Sequence, residues 1–338
     1  MTNDLMSIFT GKKVLITGGT GSLGQALTER ILNSDVEQIR ILSRNEFKQI
    51  SMETKLPDER LRFLIGDVRD KDRLIRALDD VDIVFHAAAL KHVPKVEYNP
   101  FEAIKTNVQG SQNVIDACLE NDVQKAICIG TDKAVSPLNT YGATKLLMEK
   151  LFITAKRYSN PKKHPTKFLA VRYGNVFGSS GSVIPKFIGQ INNNEKITIT
   201  DPTMTRFSIT MNQALDFILK ATQKGHGAEV FIPKLKAYSL QQIHNILSNL
   251  TNAKDHEIIG MRTGEKQHEL LINSDEMRYA WSYDNMFVLL NELHESENLE
   301  EVYPGIKKIE DLDVYSSAKT QQLSTEEITE NIKDLQLL

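Results

Sequence analysis

Cysteine is nearly absent: Cys118 and Cys128 are the two in 338 residues, and both stand in apolar contexts. That scarcity excludes a disulfide framework and fits buried free thiols in a reducing compartment. An excess of one charge is lacking too. Forty-one basic residues face 44 acidic ones, for a net charge of -3. Nothing in that balance points to nucleic acid or an anionic membrane surface. No apolar run reaches the ~18 residues that a membrane span needs. The opening residues, M-T-N-D-L-M-S-I-F-T, have neither the charged start nor the apolar core of a signal peptide. There is no low-complexity segment, no obvious repeat, and no metal site is expected. What remains is a cytoplasmic, enzyme-sized chain, long enough for a sizeable core and one or two domains.

The stretch Thr131 to Lys145, T-D-K-A-V-S-P-L-N-T-Y-G-A-T-K, organises the rest. The apolar run Ala126-Ile127-Cys128-Ile129 before it reads as a buried strand, and Leu146, Leu147, Leu151 and Phe152 after it form a helical stripe. Thr131, Asp132 and Lys133 therefore stand at the carboxyl end of a strand. Tyr141 and Lys145, four apart, share a face near the start of the next helix. Open α/β sheets bind ligands outside the carboxyl ends of their strands. A tyrosine is a poor base at neutral pH unless a neighbouring ammonium favours its phenolate. Lys145 is placed to do this and to donate to a cofactor ribose, with Thr131 bonding the same substrate hydroxyl. Such a trio takes a proton from a carbinol while hydride leaves to a nicotinamide.

The first strand, Lys12 to Thr17, runs into Gly18-Gly19-Thr20-Gly21-Ser22-Leu23-Gly24 and a helix over Gln25 to Leu32. Strand, glycine loop and helix in that order bring backbone N–H groups to a dinucleotide pyrophosphate. The second strand, 39–43, ends in Ser43-Arg44, with Lys48 one turn on, where an NAD site would favour a carboxylate. Cations there suit the 2′-phosphate of NADP. A third strand, 61–65, leads to Asp67-Val68, suited to the adenine. A fourth, 81–85, leads to His86 and then Ala87-Ala88-Ala89, whose small side chains let the cofactor pass. His86 reads as a packed core histidine. Lys91 stands in the crevice region, in reach of cofactor or substrate. A long helix is expected over 100–121, with Asn107 facing the sheet and needing buried partners.

A sixth strand, 168–173, leads to Gly174-Asn175. Alternating strands and helices to this point predict an α/β fold, a doubly wound parallel Rossmann sheet, with a smaller discontinuous C-terminal substrate lobe. The expected division is a cofactor domain over 1–178 with returning elements near 205–233. A substrate lobe follows from 179–204 and 234–290. An acidic tail, 291–338, ends in a capped helix at Ser324-Thr325-Glu326-Glu327 and shows no chemistry. In the lobe, Lys186, Arg206 and Arg262 are candidates to hold a second diphosphate.

The glycine loop, Asp67-Val68, Ala87 to Ala89, Tyr141-x-x-x-Lys145 and Asn175 together resemble an extended short-chain dehydrogenase/reductase acting on nucleotide sugars. A narrower resemblance is to the inverting UDP-N-acetylglucosamine 4,6-dehydratases that begin pseudaminic acid synthesis. It rests on S-R-N-E-F-K-Q (43–49), A-L-K-H-V-P (89–94), E-Y-N-P-F-E-A (97–103), T-D-K-A (131–134), R-Y-G-N-V (172–176), D-P-T-M-T-R-F (201–207) and R-T-G-E-K (262–266), and so covers roughly residues 10 to 285. Ser180 departs from it, standing where the family pattern leads one to expect an arginine.

The resemblance implies a tightly bound, recycled NADP, UDP-N-acetylglucosamine as substrate and a homo-oligomer. It also implies substrate contacts from Lys91, Asn175, Lys186, Arg206, Arg262 and Glu265. Tyr141 takes the C4-OH proton, Asp132 is the acid for the C6 hydroxyl, and Lys133 is the base at C5. A lysine acts as a base only when burial or a neighbouring cation lowers its pKa. Three alternatives stay open: a UDP-sugar 4-epimerase, a retaining 4,6-dehydratase, which would resemble T-D-E, and a non-catalytic NADP-binding sensor on the same fold.

Overall fold

The computed structural model describes residues 5–158, 160, 162–179, 182–251, 255–262, 264–291, 294 and 298–335. Ser180 and Thr263 lie outside the described residues. The first half alternates strands β1 (Lys13–Thr17), β2 (Gln38–Ser43), β3 (Leu61–Ile65), β4 (Ile83–His86), β5 (Lys125–Ile129) and β6 (Lys167–Val171) with helices. The second half adds β7 (Asn175–Val176), β8 (Ile197–Ile199), β9 (Thr205–Ile209), β10 (Glu229–Pro233), β11 (Ala237–Ser239), β12 (His256–Ile258) and β13 (Leu270–Ile272). Then come β14 (Ala280–Tyr283), β15 (Met286–Leu290), β16 (Lys307–Lys308) and β17 (Tyr315–Ser316).

One ten-stranded sheet runs in the order β16-β14-β15-β10-β6-β5-β4-β1-β2-β3. From β10 to β3 its pairs are parallel. Strands such as A-I-C-I and F-L-A-V are buried on both sides, because helices cover both faces of the sheet. Phe9, Leu27, Ile31 and Ile218 pack one face, and Leu74, Val114, Cys118 and Phe152 the other. The chain moves outward through β2 and β3, then returns to the other side of β1 as β4. That reversal opens the crevice at the carboxyl ends of β1 and β4.

The division expected from sequence needs correction past residue 233. The sequence pattern places residues 280–290 in the substrate lobe, yet β14 and β15 join the main sheet, with β15 antiparallel to β10. The apolar strand M-F-V-L-L is buried at every position, and an unpaired β10 edge would leave its backbone groups without partners. The tail is not an appendage either. Lys307–Lys308 pair with β14, Tyr315–Ser316 pair with β13, and the helix Thr325–Asp334 buries Ile328 and Ile332 in the lobe core beside Ile243 and Leu247. Its capping box at Ser324 and Glu327 is as expected.

The helix expected over 100–121 is broken into Pro100–Ala103, a π-helical turn Ile104–Gln109 and Gly110–Glu120. A π turn inserts extra backbone, and here it carries Asn107. The Asn107 amide accepts from Leu90 N at 2.7 Å and donates to Leu90 O and Thr144 Oγ1, both at 3.0 Å. The partners are thus a strand-end loop and the helix Thr140–Tyr158.

Behind the crevice lies a fully buried arginine. Arg172 Nε and Nη2 donate to Glu149 at 3.0 and 2.6 Å, and Nη1 and Nη2 donate to Glu276 at 3.0 and 2.9 Å. Nη1 also reaches the carbonyl of Leu271 at 2.8 Å. One side chain therefore ties β6 to the helix Thr140–Tyr158 and to the β13 segment. Removing one partner of a buried ion cluster leaves uncompensated charge, at a cost of about 3–5 kcal/mol. Arg172→Met should lower the unfolding free energy by about that much in denaturant titration; a loss below about 1 kcal/mol would show that the cluster holds nothing.

Candidate active site

The crevice contains a cavity of about 440 Å³ at the carboxyl ends of the parallel strands. Each residue expected to contact the cofactor, from Gly18 to Lys145, lines it, as do Thr131 and Asn175. The glycines fit a dinucleotide. Gly18 has φ +67°, and a Cβ there would lie 2.9 Å from the Ala88 backbone. A Cβ on Gly24 would lie 2.5 Å from Gly19, so the helix Ser22–Leu32 seats directly on the loop and points its free N–H groups into the cavity.

At the far end, Asp67 accepts from Arg69 N and Nε at 3.0 Å each and from Nη2 at 2.7 Å, with Arg44 3.9 Å away. Burial works to raise its carboxyl, but Arg69 outweighs it and holds the group below its ordinary range. Ser43 Oγ accepts from Gln49 at 3.0 Å, which fixes the strand end. His86 is enclosed between Thr17 Oγ1 at 2.8 Å and Ser111 Oγ at 3.0 Å. Burial pushes it down to about 3, so it is neutral and structural.

The reactive groups meet where β5, β7 and the helix Thr140–Tyr158 converge. Tyr141 is 8% exposed. Burial, and then Asp132, hold its phenol above the ordinary range, and the pull of the Lys133 ammonium and of a hydrogen bond with Thr131 offsets only part of that. Lys145 does not supply that pull. Its Nζ donates to the Ile129 carbonyl at 2.6 Å and to Met148 Sδ at 3.0 Å, and burial lowers its pKa. The spacing of Tyr141 and Lys145 sets a shared helix face, but the long lysine side chain turns down to the strand end.

Lys133 Nζ donates to Asn175 Oδ1 at 2.9 Å and Asp132 Oδ1 at 3.1 Å, and lies 3.6 Å from Glu269 Oε1. Burial would lower it, but Asp132 and then Glu269 overcome that and hold the ammonium above the usual lysine range. The expectation that its surroundings lower Lys133 is thus reversed in this state, because two carboxylates face it. Asp132 is fully buried, and its Oδ2 has no hydrogen-bond partner. Burial, and then Glu269, push its carboxyl above the ordinary range against the pull of Lys133 and Thr131, so that it takes up a proton more readily than an exposed aspartate. Asn175 accepts from Lys133 and also lines the cavity.

The lobe residues are more scattered. Arg206 Nη1 donates to Thr205 O at 2.8 Å and Gln267 O at 3.1 Å, and its Nε lies 3.6 Å from Glu269. Lys186 donates to Thr198 Oγ1 at 2.6 Å, and Arg262 N donates to Glu265 Oε2 at 3.0 Å. These four do not line the cavity. Sequence reasoning missed Glu269 and Arg172. Glu269 follows the R-T-G-E-K motif without a pattern of its own, and the bridge between Thr205 and His268 brings it in.

A parallel sheet with its glycine loop at the first strand end, and a Thr131–Tyr141 pair over the crevice, define an extended short-chain dehydrogenase/reductase. The sequence profile of a family described as polysaccharide biosynthesis protein matches residues 14–291, and the chain belongs to that family. It is 47% identical over 285 residues to a Campylobacter jejuni protein named UDP-N-acetylglucosamine 4,6-dehydratase (inverting), covering 83% of this chain and 84% of the relative. It is 42% identical to a Rickettsia bellii protein named UDP-glucose 4-epimerase, over 97% of each. Among solved structures, Pen from Bacillus thuringiensis superposes with a TM-score of 0.89 at 38% identity, over 98% of this chain and 99% of Pen.

Lys133→Met should move the Tyr141 phenol–phenolate transition upward, since it removes the cation that favours the phenolate. Near-ultraviolet difference absorbance, with Tyr141→Phe as the blank, reads this directly. If Lys145→Met moves it further than Lys133→Met does, Lys145 is the governing cation.

Proposed function

We propose that this chain is a nucleotide-sugar 4,6-dehydratase that converts UDP-N-acetylglucosamine to a UDP-2-acetamido-2,6-dideoxyhexos-4-ulose with inversion at C5. The observation that carries this reading is the pairing of buried Asp132 with half-buried Lys133 beside Tyr141, with Asp132 Oδ2 left free to act. A nicotinamide dinucleotide, when bound, accepts hydride from C4 and gives it back at C6. The chain's own groups do the rest. Tyr141, with Thr131, takes the C4-OH proton. The C4 ketone acidifies C5–H, Lys133 removes that proton, and Asp132 protonates the departing C6 oxygen, so that water leaves. Protonation of C5 on the opposite face gives the inversion. The net reaction is dehydration, with no oxidant consumed.

The name of the Rickettsia bellii relative favours a second reading, a UDP-sugar 4-epimerase. Epimerisation needs only removal and return of hydride at C4, and gives the acid–base pair no task. One experiment separates the two. Incubation with UDP-N-acetylglucosamine in heavy water, without added cofactor, should yield a 4-keto-6-deoxy sugar with deuterium at C5, read by NMR. A C4 epimer that retains its C6 hydroxyl would establish the epimerase instead.

Arg44 and Lys48, with no acid at the strand end, support NADP as the cofactor. Arg44→Ala should weaken NADP(H) binding at least tenfold (about 1.4 kcal/mol) and leave NAD(H) binding little changed; equal losses for both in fluorescence titration would reject NADP preference. Lys186, Arg206, Arg262, Glu265 and Lys91 are proposed to hold the UDP moiety. Lys186 feels the charges of Arg262 and Glu265, so these three are neighbours. Phe101, Ile104 and Leu147, exposed on adjoining helical segments, support assembly into a homo-oligomer. The buried free thiols Cys118 and Cys128 support a cytoplasmic setting. Among the described residues no helix is long and apolar enough to cross a membrane.

The charge on Lys133 predicts a two-part defect. Lys133→Met should slow C4 oxidation at neutral pH, and alkali should restore that half-reaction by ionising Tyr141. Elimination should stay ~10²–10⁴-fold down at every pH, the loss typical for a positioned acid or base. Cofactor absorbance and C5 exchange report the two steps separately. Normal C5 exchange in this variant would assign the base to another group.

A further inference from the structure

Glu269 has no part in the steps above, yet it stands against them. It is 3% exposed. Its Oε1 lies 3.6 Å from both Lys133 Nζ and Arg206 Nε, and its Oε2 is buried without a hydrogen-bond partner. The backbone is fixed on both sides: Glu269 N donates to Ser317 Oγ at 2.9 Å, and Glu269 O accepts from Ser317 N at 2.9 Å. Ser317 Oγ also donates to Thr205 O at 3.1 Å, beside Arg206. A segment of the C-terminal tail therefore decides where this carboxylate stands. Burial pushes Glu269 up, but Lys133 and then Arg206 outweigh it and keep it ionised.

We propose that Glu269 is a positioning residue for the dehydration, holding Lys133 Nζ in place and charged while C4 is oxidised, so that Lys133 serves Tyr141 first and C5 second. This inference rests on the dehydratase reading. Lys133 has two tasks that need opposite proton states: as an ammonium it favours the Tyr141 phenolate, and as an amine it takes the C5 proton. The charged and titratable groups that face it are Asp132 on its own turn, Tyr141 on the helix Thr140–Tyr158, Arg206 and Tyr238 on β9 and β11, and Lys266 and Glu269 before β13. Among these, ionised Glu269 and Asp132 favour the ammonium.

When Tyr141 takes the C4-OH proton, one O–H bond breaks at the sugar and one forms on the phenol. The phenolate charge beside Lys133 is then gone. Lys133 passes a proton to the Asp132 carboxylate, whose nearer oxygen, Oδ1, is 3.1 Å away. One N–H bond breaks and one O–H bond forms, and that single transfer produces the amine base for C5 and the carboxylic acid for the C6 oxygen. The charge of Glu269 resists the transfer until the phenolate is quenched, because an anion near the ammonium favours it.

Glu269→Gln keeps the shape and removes the charge; Glu269→Asp keeps the charge. Side-chain NMR of isotope-labelled lysine, with Lys133 assigned by its absence in Lys133→Met, reads the ammonium–amine transition in the substrate-free enzyme. That transition should fall by about 1–3 pH units in Glu269→Gln and stay near wild type in Glu269→Asp. The acid limb of C5 exchange in heavy water should move the same way. A Lys133 transition unmoved in Glu269→Gln, or one that falls equally in Glu269→Asp, overturns the proposal. If the transition moves as expected but the wild type makes no 4-keto-6-deoxy sugar, the dehydratase reading fails and the hold of Glu269 on Lys133 stands.

Discussion

The buried guanidinium of Arg172 is the constraint on which the site depends. Its forked contacts with Glu149 and Glu276 join a central strand, the helix that carries Tyr141 and Lys145, and the segment that carries Glu269. A fixed planar fork suits this task, since two carboxylates are held in two directions by one rigid group. Charge so deeply buried contributes little net stability against an apolar alternative. What it contributes is register: the helix and the lobe cannot slide past each other without breaking several charge-assisted bonds at once. Tyr173, Gly174 and Asn175 follow Arg172 directly in the chain, so the same anchor sets the wall that Lys133 leans on.

In front of that anchor, charges of opposite sign alternate through Asp132, Lys133, Glu269 and Arg206. The two carboxyl groups are buried, and each is tolerable because a partly exposed cation compensates it. Such a row has no single resting proton state that belongs to one residue; a change at Tyr141 is felt by Lys133, and through it by Asp132. The site is in this sense a proton store whose distribution follows the progress of the chemistry. The glycine loop works differently. It offers fixed dipoles and close backbone approach, and nothing in it titrates.

The tail shows how a segment without chemistry of its own can serve a site. Ser317 holds the backbone of Glu269, and Leu335 closes over Gly178, where a Cβ would come within 2.2 Å of its side chain. Both contacts act on loops that border the crevice. The acidic composition of the region speaks of solvent, and its apolar residues are too few and too spread to announce which lobe they enter.

The glycine loop, the Tyr141–Lys145 spacing, the core character of His86 and the buried role of Asn107 were legible because each is a local matter. Strand–turn–helix order, the four-residue helical repeat and the need of a buried amide for partners are all written within short windows of chain. The pairing of β14 and β15 with the main sheet was not legible, since an apolar hairpin can cover either of two edges. Nor could sequence say which lysine faces Tyr141. Spacing put Lys145 on the right face, but a buried carbonyl at Ile129 captured its ammonium, and Lys133 took the place beside the phenol. The chain by itself determined which reactive groups are present and on which strand ends and helix faces they stand. Tertiary structure decided their charges, because a pKa is set by burial and by neighbours, and here one of those neighbours, Glu269, arrives from a part of the chain distant in sequence from Lys133.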